Sequence, residues 1–218
     1  MRTIDLQSWP RRAHFELFRR MEFGYAELCV QVDISELWAR RKSANASATV
    51  LLTYVVTRAA NRVPELRQRL RGDDVIEHEV IHPQITVLGD DELFGLCPLT
   101  YDPSFETFAT DAAQAIEAAK AASSLDKWAH DPEGGPTRDD LLSITVVPWF
   151  SFSGFSITRG PGHEDVIPVL GWGKVVSSGE KHLLPLYINI HHSLVDGIHL
   201  ARFFRFIEEE SRALAGSF

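Results

Sequence analysis

The nine residues His191 to His199 (HHSLVDGIH) hold three histidines and an aspartate. Histidine titrates near neutral pH and acts as a proton acceptor or a metal ligand, so this spacing admits several kinds of chemistry. In the run before it, Leu186, Ile188 and Ile190 share one face of a strand, because side chains alternate. The same period puts His192 on that face and His191 on the other. Two neighbouring histidines that point apart do not easily grip one ion. His192 and Asp196 have the i, i+4 spacing of a helical metal pair, yet a zinc site wants three or four convergent ligands and no further one is evident. His163 beside Glu164 is an unsupported candidate. A structural histidine cluster is the second reading. The third is general-base catalysis, in which a neutral imidazole at a strand end takes a proton from a hydroxyl and passes it to a leaving group. Gly197 allows close backbone approach there, and a helix follows, which seats a reactive side chain between rigid elements. Asp196 could orient the imidazole or pair with a distant arginine; spacing alone allows both.

Several elements must position that turn. Arg11 to Arg20 reads as a short helix carrying Phe15, Leu17 and Phe18. Tyr25 to Ile34 reads as a strand, Ser35 opens a helix through Trp38, and Ser47 to Arg62 is a helix apolar almost all round and therefore buried. Pro64 interrupts it, and ELRQRL is expected as a short helical continuation. Strands are expected at 75–81, 83–89 and 92–99, the last two joined by a turn at Asp90 and Asp91. Asp102 and Pro103 mark a helix start, with Phe105, Phe108, Ala109, Ala112 and Ile116 at helical spacing behind them. Residues 123–140 are turn-rich and read as a loop. LLSITVV (141–147), FSFSGFSI (150–157) and the run into LPLYINIHH read as strands, and Leu200, Phe203, Phe204 and Ile207 mark a closing helix. This order predicts one domain over residues 1–218 of the α/β class: a two-layer sandwich of a mixed β-sheet covered by helices. The strands do not alternate regularly with helices, and neither GxGxxG nor GxxxxGK[ST] occurs, which argues against a doubly wound nucleotide fold.

Composition narrows the classes further. An apolar content of 44% with 24% charged residues is that of a soluble globular chain. A net charge of -8 argues against nucleic acid or anionic membrane as partner. Cys29 and Cys97 are the two cysteines, without a CxxC, as expected for free thiols in a reducing compartment. The opening residues have no apolar h-region, and the longest apolar run is too short to span a bilayer. The expectation is a cytoplasmic protein.

HHSLVDGIH resembles the HHxxxDGxH active-site motif of the chloramphenicol acetyltransferases, relatives of larger acyltransferase families that share HxxxDG. The likeness extends along nearly the whole chain, through DLQSWPRRAHFELFRR, PELRQRL, VIHPQITVL, TVVPW and LLPLYINIHH. The resemblance implies a homotrimer with active sites at the subunit interfaces, each joining a histidine of one subunit to acceptor-pocket residues of its neighbour. It implies acetyl-CoA as cosubstrate, no metal, and a small hydroxylated acceptor, chloramphenicol or a related xenobiotic. His192 would be the general base that activates the acceptor hydroxyl for attack on the acetyl thioester. Asp196 would be mainly structural, pairing with Arg11 of WPRR rather than with the imidazole. Thr145 in SITVVPW stands where the family has a serine that stabilises the oxyanion. Lys174 matches a lysine of the cofactor region.

The acceptor side departs from the family's pattern. Phe18 replaces a tyrosine that helps hold chloramphenicol, and Gly171 replaces a threonine that helps bind a site water. Glu22 stands where an apolar residue is usual, Asn189 where Gln precedes the His pair, and Ile198 where an aromatic follows DG. A site that loses polar partners for a substrate hydroxyl can discriminate strongly against that substrate. Acetyl transfer is thus better supported than the identity of the acceptor. The competing classes are a non-catalytic or divergent homologue that binds an acyl-CoA or small ligand, and a metal-dependent hydrolase.

Overall fold

A computed structural model of the protein describes residues 1–121, 138–159 and 166–218. Its strands are β1 (Arg2–Thr3), β2 (Tyr25–Asp33), β3 (Gln68–Arg71), β4 (Asp74–Glu77), β5 (His82–Leu88), β6 (Phe94–Pro98), β7 (Leu141–Val147), β8 (Val169–Gly173), β9 (Val176–Ser178) and β10 (Lys181–His191). The helices among the described residues are α1 (Arg12–Phe18), α2 (Ser35–Arg40), α3 (Ala48–Asn61), α4 (Phe105–Ala121) and α5 (Gly197–Ala215). The main sheet runs β2-β10-β8-β7-β5-β6, with β9 paired to β10. β5, β7 and β8 lie parallel and the other pairs antiparallel, so the sheet is mixed as expected. β1, β4 and β3 form a small second sheet.

Alternation decides which side of the sheet is core. Ile85, Ile144, Leu170 and Ile188 lie in one cross-strand row, all at most 1% exposed, and pack in one cluster with Val55, Val56 and Ala59 of α3 and Phe203 and Ile207 of α5. Helix α3 is buried all round because its polar members are few; the Ser47 side chain caps it by accepting from the Val50 N–H at 3.2 Å. The opposite face carries Gln84, Ser143, Val169, Asn189 and Glu27 in one row and Thr145, Gly171, Tyr187 and Cys29 in the next. These residues are mostly polar or small, and no helix among the described residues packs on that face. No helix of the described residues is long and apolar enough to cross a membrane.

Four sequence expectations are corrected. ELRQRL is a 3-10 turn (Pro64–Arg67) followed by β3, because the buried Arg69 guanidinium spans the carbonyls of Leu66, Gln68, Asp139 and Leu141 and holds the chain extended. The strand expected at 75–81 ends at Glu77, where the Arg67 guanidinium takes the carbonyls of His78 and Glu79 out of any ladder. The helix placed at Asp102-Pro103 begins at Phe105, since the Asp102 carboxylate accepts from the Ser104 N–H at 2.7 Å and makes a turn first. FSFSGFSI is not a strand: it crosses the open face, with Phe155 edge-on to Tyr187 and the Phe152 carbonyl accepting from Gln31. The strand at that point of the fold is β8, which the sequence reading passed over. Most of the loop expected at 123–140, and the His163-Glu164 pair, lie outside the described residues.

Candidate active site

β10 runs out at His191, a turn follows, and α5 begins at Gly197. The turn is fixed from both sides. The His192 N–H donates to the Gly24 carbonyl at 2.7 Å, and the amides of Leu194 and Val195 donate to the His191 carbonyl. Gly24 must lack a side chain, because a Cβ there would stand 2.7 Å from His191 Nε2 and 2.9 Å from the Phe18 carbonyl. His191 turns inward, 1% exposed, with its Nδ1 2.7 Å from Ser193 Oγ and Tyr25 edge-on to its ring.

The His192 ring is clasped. Phe18 of α1 stacks on it with centroids 4.0 Å apart and planes 3° from parallel. Nδ1 is buried 3.2 Å from Asp196 Oδ1, without the alignment of a hydrogen bond. The side chain is 35% exposed, and that exposure belongs to the edge carrying Nε2. Asp196 Oδ2 pairs with Arg11, a partner 185 residues away whose guanidinium also donates to the carbonyls of His192 and Ser193, each at 3.3 Å. Burial draws the Arg11 guanidinium below its usual range, though Glu65 opposes it. Arg11 pairs with the Asp196 carboxylate, so that charge already has a partner of opposite sign. The arrangement turns Nδ1 to the aspartate and presents the other ring nitrogen outward, the placement that proton abstraction needs. Asp196 therefore faces both its arginine and the imidazole.

Thr145 and Gly171 stand elsewhere. They face each other across β7 and β8, and Gly171 faces Tyr187 of β10. His192 lies five residues beyond Tyr187. At about 3.3 Å per residue and 4.8 Å per strand, Thr145 and His192 are on the order of 20 Å apart in one chain. The ring of Phe155 lies 3.4 Å from where a Gly171 Cβ would be, so the glycine makes room for that ring. Lys174 follows β8, exposed, its N–H donating to the Phe150 carbonyl at 2.9 Å. Glu22 and Ile198 are exposed. The described structure thus gathers His192, Asp196, Arg11 and Phe18, and leaves Thr145, Gly171 and Lys174 in a second group.

That second group adjoins a network the sequence reading missed. Glu27 Oε1 accepts from Tyr187 at 2.8 Å, Asn189 at 2.7 Å and Ser156 at 3.1 Å. The Arg159 guanidinium donates to Asn189 Oδ1 at 2.8 and 2.9 Å. Burial works against the Glu27 charge, but these hydrogen bonds and Arg159 outweigh it and hold the carboxyl below its usual range. Burial first, and Glu27 second, push the Tyr187 phenol up to about 12. Only strand register could have found this network, since its members are scattered over 160 residues of sequence. Among the described residues no group of three or more His, Cys, Asp or Glu side chains is placed to hold a metal ion.

A mixed sheet with helices on one face, and an HxxxDG histidine where a long strand enters a helix, define an acyltransferase of the HxxxDG type. The chain belongs to the chloramphenicol acetyltransferase family, whose model matches residues 1–208. It is 30% identical over 211 residues to chloramphenicol acetyltransferase 3 of Escherichia coli, covering 94% of each chain. It is 31% identical over 202 residues to the chloramphenicol acetyltransferase of Streptomyces acrimycini, covering 91% of this chain and 89% of that one. A solved chloramphenicol acetyltransferase superposes with a TM-score of 0.82 at 25% identity, over 96% of this chain and 98% of that chain. A probable dihydrolipoamide acetyltransferase from Listeria monocytogenes shares the fold at a TM-score of 0.63 and 17% identity, over 98% of this chain and 95% of that one.

Proposed function

We propose that the protein transfers the acetyl group of acetyl-CoA to a hydroxyl of a small acceptor, chloramphenicol or a related xenobiotic, with His192 as general base. The observation that carries this is the clasped His192 ring, its Nδ1 turned to an aspartate already paired with Arg11 and its Nε2 open. Nε2 takes the hydroxyl proton as the acceptor oxygen attacks the thioester carbonyl. The tetrahedral oxyanion then collapses, the C–S bond breaks, and the imidazolium returns its proton to the departing thiolate of CoA. The oxyanion needs a donor, which the Thr145 hydroxyl supplies.

Thr145 and His192 of one chain are too far apart to share an intermediate, so the reading requires a second copy. It assigns a homotrimer whose interfacial sites pair His192 of one subunit with Thr145, Gly171 and the open face of its neighbour. Phe18 lines the acceptor side and Lys174 the approach of the CoA phosphates. The enzyme is read as cytoplasmic, where Cys29 and Cys97 stay reduced.

The test is release of CoA thiol from acetyl-CoA on addition of chloramphenicol, with the acetylated product identified by mass. Acceptor-dependent release is expected. Saturable acetyl-CoA binding without turnover, on chloramphenicol and on a broad panel of alcohols, would show a binding homologue instead.

A further inference from the structure

The last histidine of HHSLVDGIH has no part in the chemistry above. His199 sits in the first turn of α5, its side chain 8% exposed. The Asp196 N–H donates to its Nδ1 at 2.9 Å. A nitrogen that accepts carries no proton, so in the neutral ring the proton is on Nε2. Nε2 faces Oε1 of Glu65, in the 3-10 turn after α3, at 3.5 Å. Arg11, which holds the Asp196 carboxylate, also feels the Glu65 charge. Asp196 is thus gripped twice: by Arg11 at its carboxylate and by His199 at its backbone. Both arms look to Glu65.

Burial is what favours the neutral ring of His199. Burial pushes its imidazole below the usual range, Glu65 pulls the other way, and Arg11 and Arg202 add to the lowering. Protonation would put an N–H on Nδ1 against the Asp196 N–H, and the grip would open.

We propose that Glu65 and His199 are positioning residues, holding the Asp196 N–H so that the turn aims His192. The relay runs from Glu65 to His199, to Asp196 and to His192, across 3.5, 2.9 and 3.2 Å. Its effect on turnover rests on His192 being the base; the grip itself does not.

Two measurements test it on the intact protein. The first is long-range proton–nitrogen correlation of histidine-labelled protein at neutral pH, with His199 assigned by loss of its signals in His199→Asn. The expected result is an Nε2–H tautomer at His199, and displaced His192 ring signals in Glu65→Gln. An Nδ1–H tautomer, or unmoved His192 signals, overturns the proposal. The second is kinetics with acetyl-CoA and chloramphenicol, rates corrected to the folded fraction from thermal unfolding. His199→Leu should lose kcat by about tenfold or more while KM for acetyl-CoA stays within about twofold. His199→Asn, whose amide oxygen stands near the place of Nδ1, should recover most of that loss. A parental kcat in His199→Leu, or His199→Asn as poor as His199→Leu, also overturns it. A parent that does not acetylate chloramphenicol overturns the proposed acceptor instead, and the tautomer and signal shifts then decide the relay.

Discussion

The histidine turn and the open face of the sheet are built on opposite plans. In the turn, one local motif and a few distant braces (Arg11, Phe18, Gly24) fix a single ring. On the open face, polar and small side chains are spread over rows that cross several strands, and a three-donor carboxylate network stands beside Thr145 and Gly171. Proton transfer demands an atom placed to within about half an ångström, and short-range sequence can encode that. In the proposed function, acceptor recognition needs only a lined surface, which can change residue by residue while the proposed base stays where it is.

The largest effects should separate the two regions and then reunite them. His192→Ala should lower kcat by about 10²–10⁴-fold, the usual worth of a positioned base. Thr145→Val should lower it by about 10²-fold, as for loss of one oxyanion donor. Alone, neither says whether the two groups serve one site. Unfolding the two inactive proteins together and refolding them should restore activity, because a trimer that joins His192 of one chain to Thr145 of another rebuilds intact sites. Random mixing leaves about a quarter of the sites whole. Mixed material no more active than either parent would mean that the two residues do not meet across an interface.

How far each region could be read in advance follows from the same difference. His192 and Asp196 stand out because strand period, glycine and helix start coincide within a few residues. The sheet and most helices were legible for the same reason: α3, β2 and α5 keep one pattern over their whole length. ELRQRL was misread because the force that straightens it, the Arg69 guanidinium on carbonyls of residues 139 and 141, lies far off in sequence. FSFSGFSI alternates like a strand, yet its aromatic residues cover Gly171 and Tyr187 rather than join a ladder. The Glu27–Tyr187–Asn189 network depends on the register of β2 against β10, which no local pattern states.

Two glycines offer a matched stability test. In Gly24→Ala the new methyl meets the Phe18 carbonyl and a buried histidine ring, neither able to retreat, and a loss of about 2–3 kcal/mol in chemical unfolding is expected. In Gly171→Ala the methyl reaches ordinary contact with Phe155, whose loop can shift, and the loss should stay below about 1 kcal/mol. Equal losses would show the open face to be as tightly packed as the turn.

Acid should act through three shielded imidazoles, of which His199 lies in the braced turn. Burial, the main cause, lowers the imidazoles of His199, His78 and His82 against the pull of Glu65, Asp139 and Asp140 respectively. Each group binds fewer protons folded than unfolded, so its contribution is complete above the ordinary value near 6.5 and is lost as pH falls below it. Denaturant midpoints should therefore decline from about pH 6.5 downward, and His199→Asn should flatten part of that decline. A midpoint unchanged between neutral pH and pH 5 would contradict the buried neutral rings.

The smallest effect probes the open face spectroscopically. Tyr187 ionises only near pH 12, chiefly because burial disfavours the phenolate and then because it donates to an ionised Glu27. Glu27→Gln removes the second cause and keeps the first, so the tyrosine absorbance change assigned to Tyr187, by difference from Tyr187→Phe, should move to lower pH and still lie above the ordinary phenol value near 10. A shift all the way to that value would mean the phenol is open to solvent and that the carboxylate alone held the proton. In that case the face beside Thr145 is wet, and its hydrogen bonds would be exchanged with water when a neighbouring chain or an acceptor arrives.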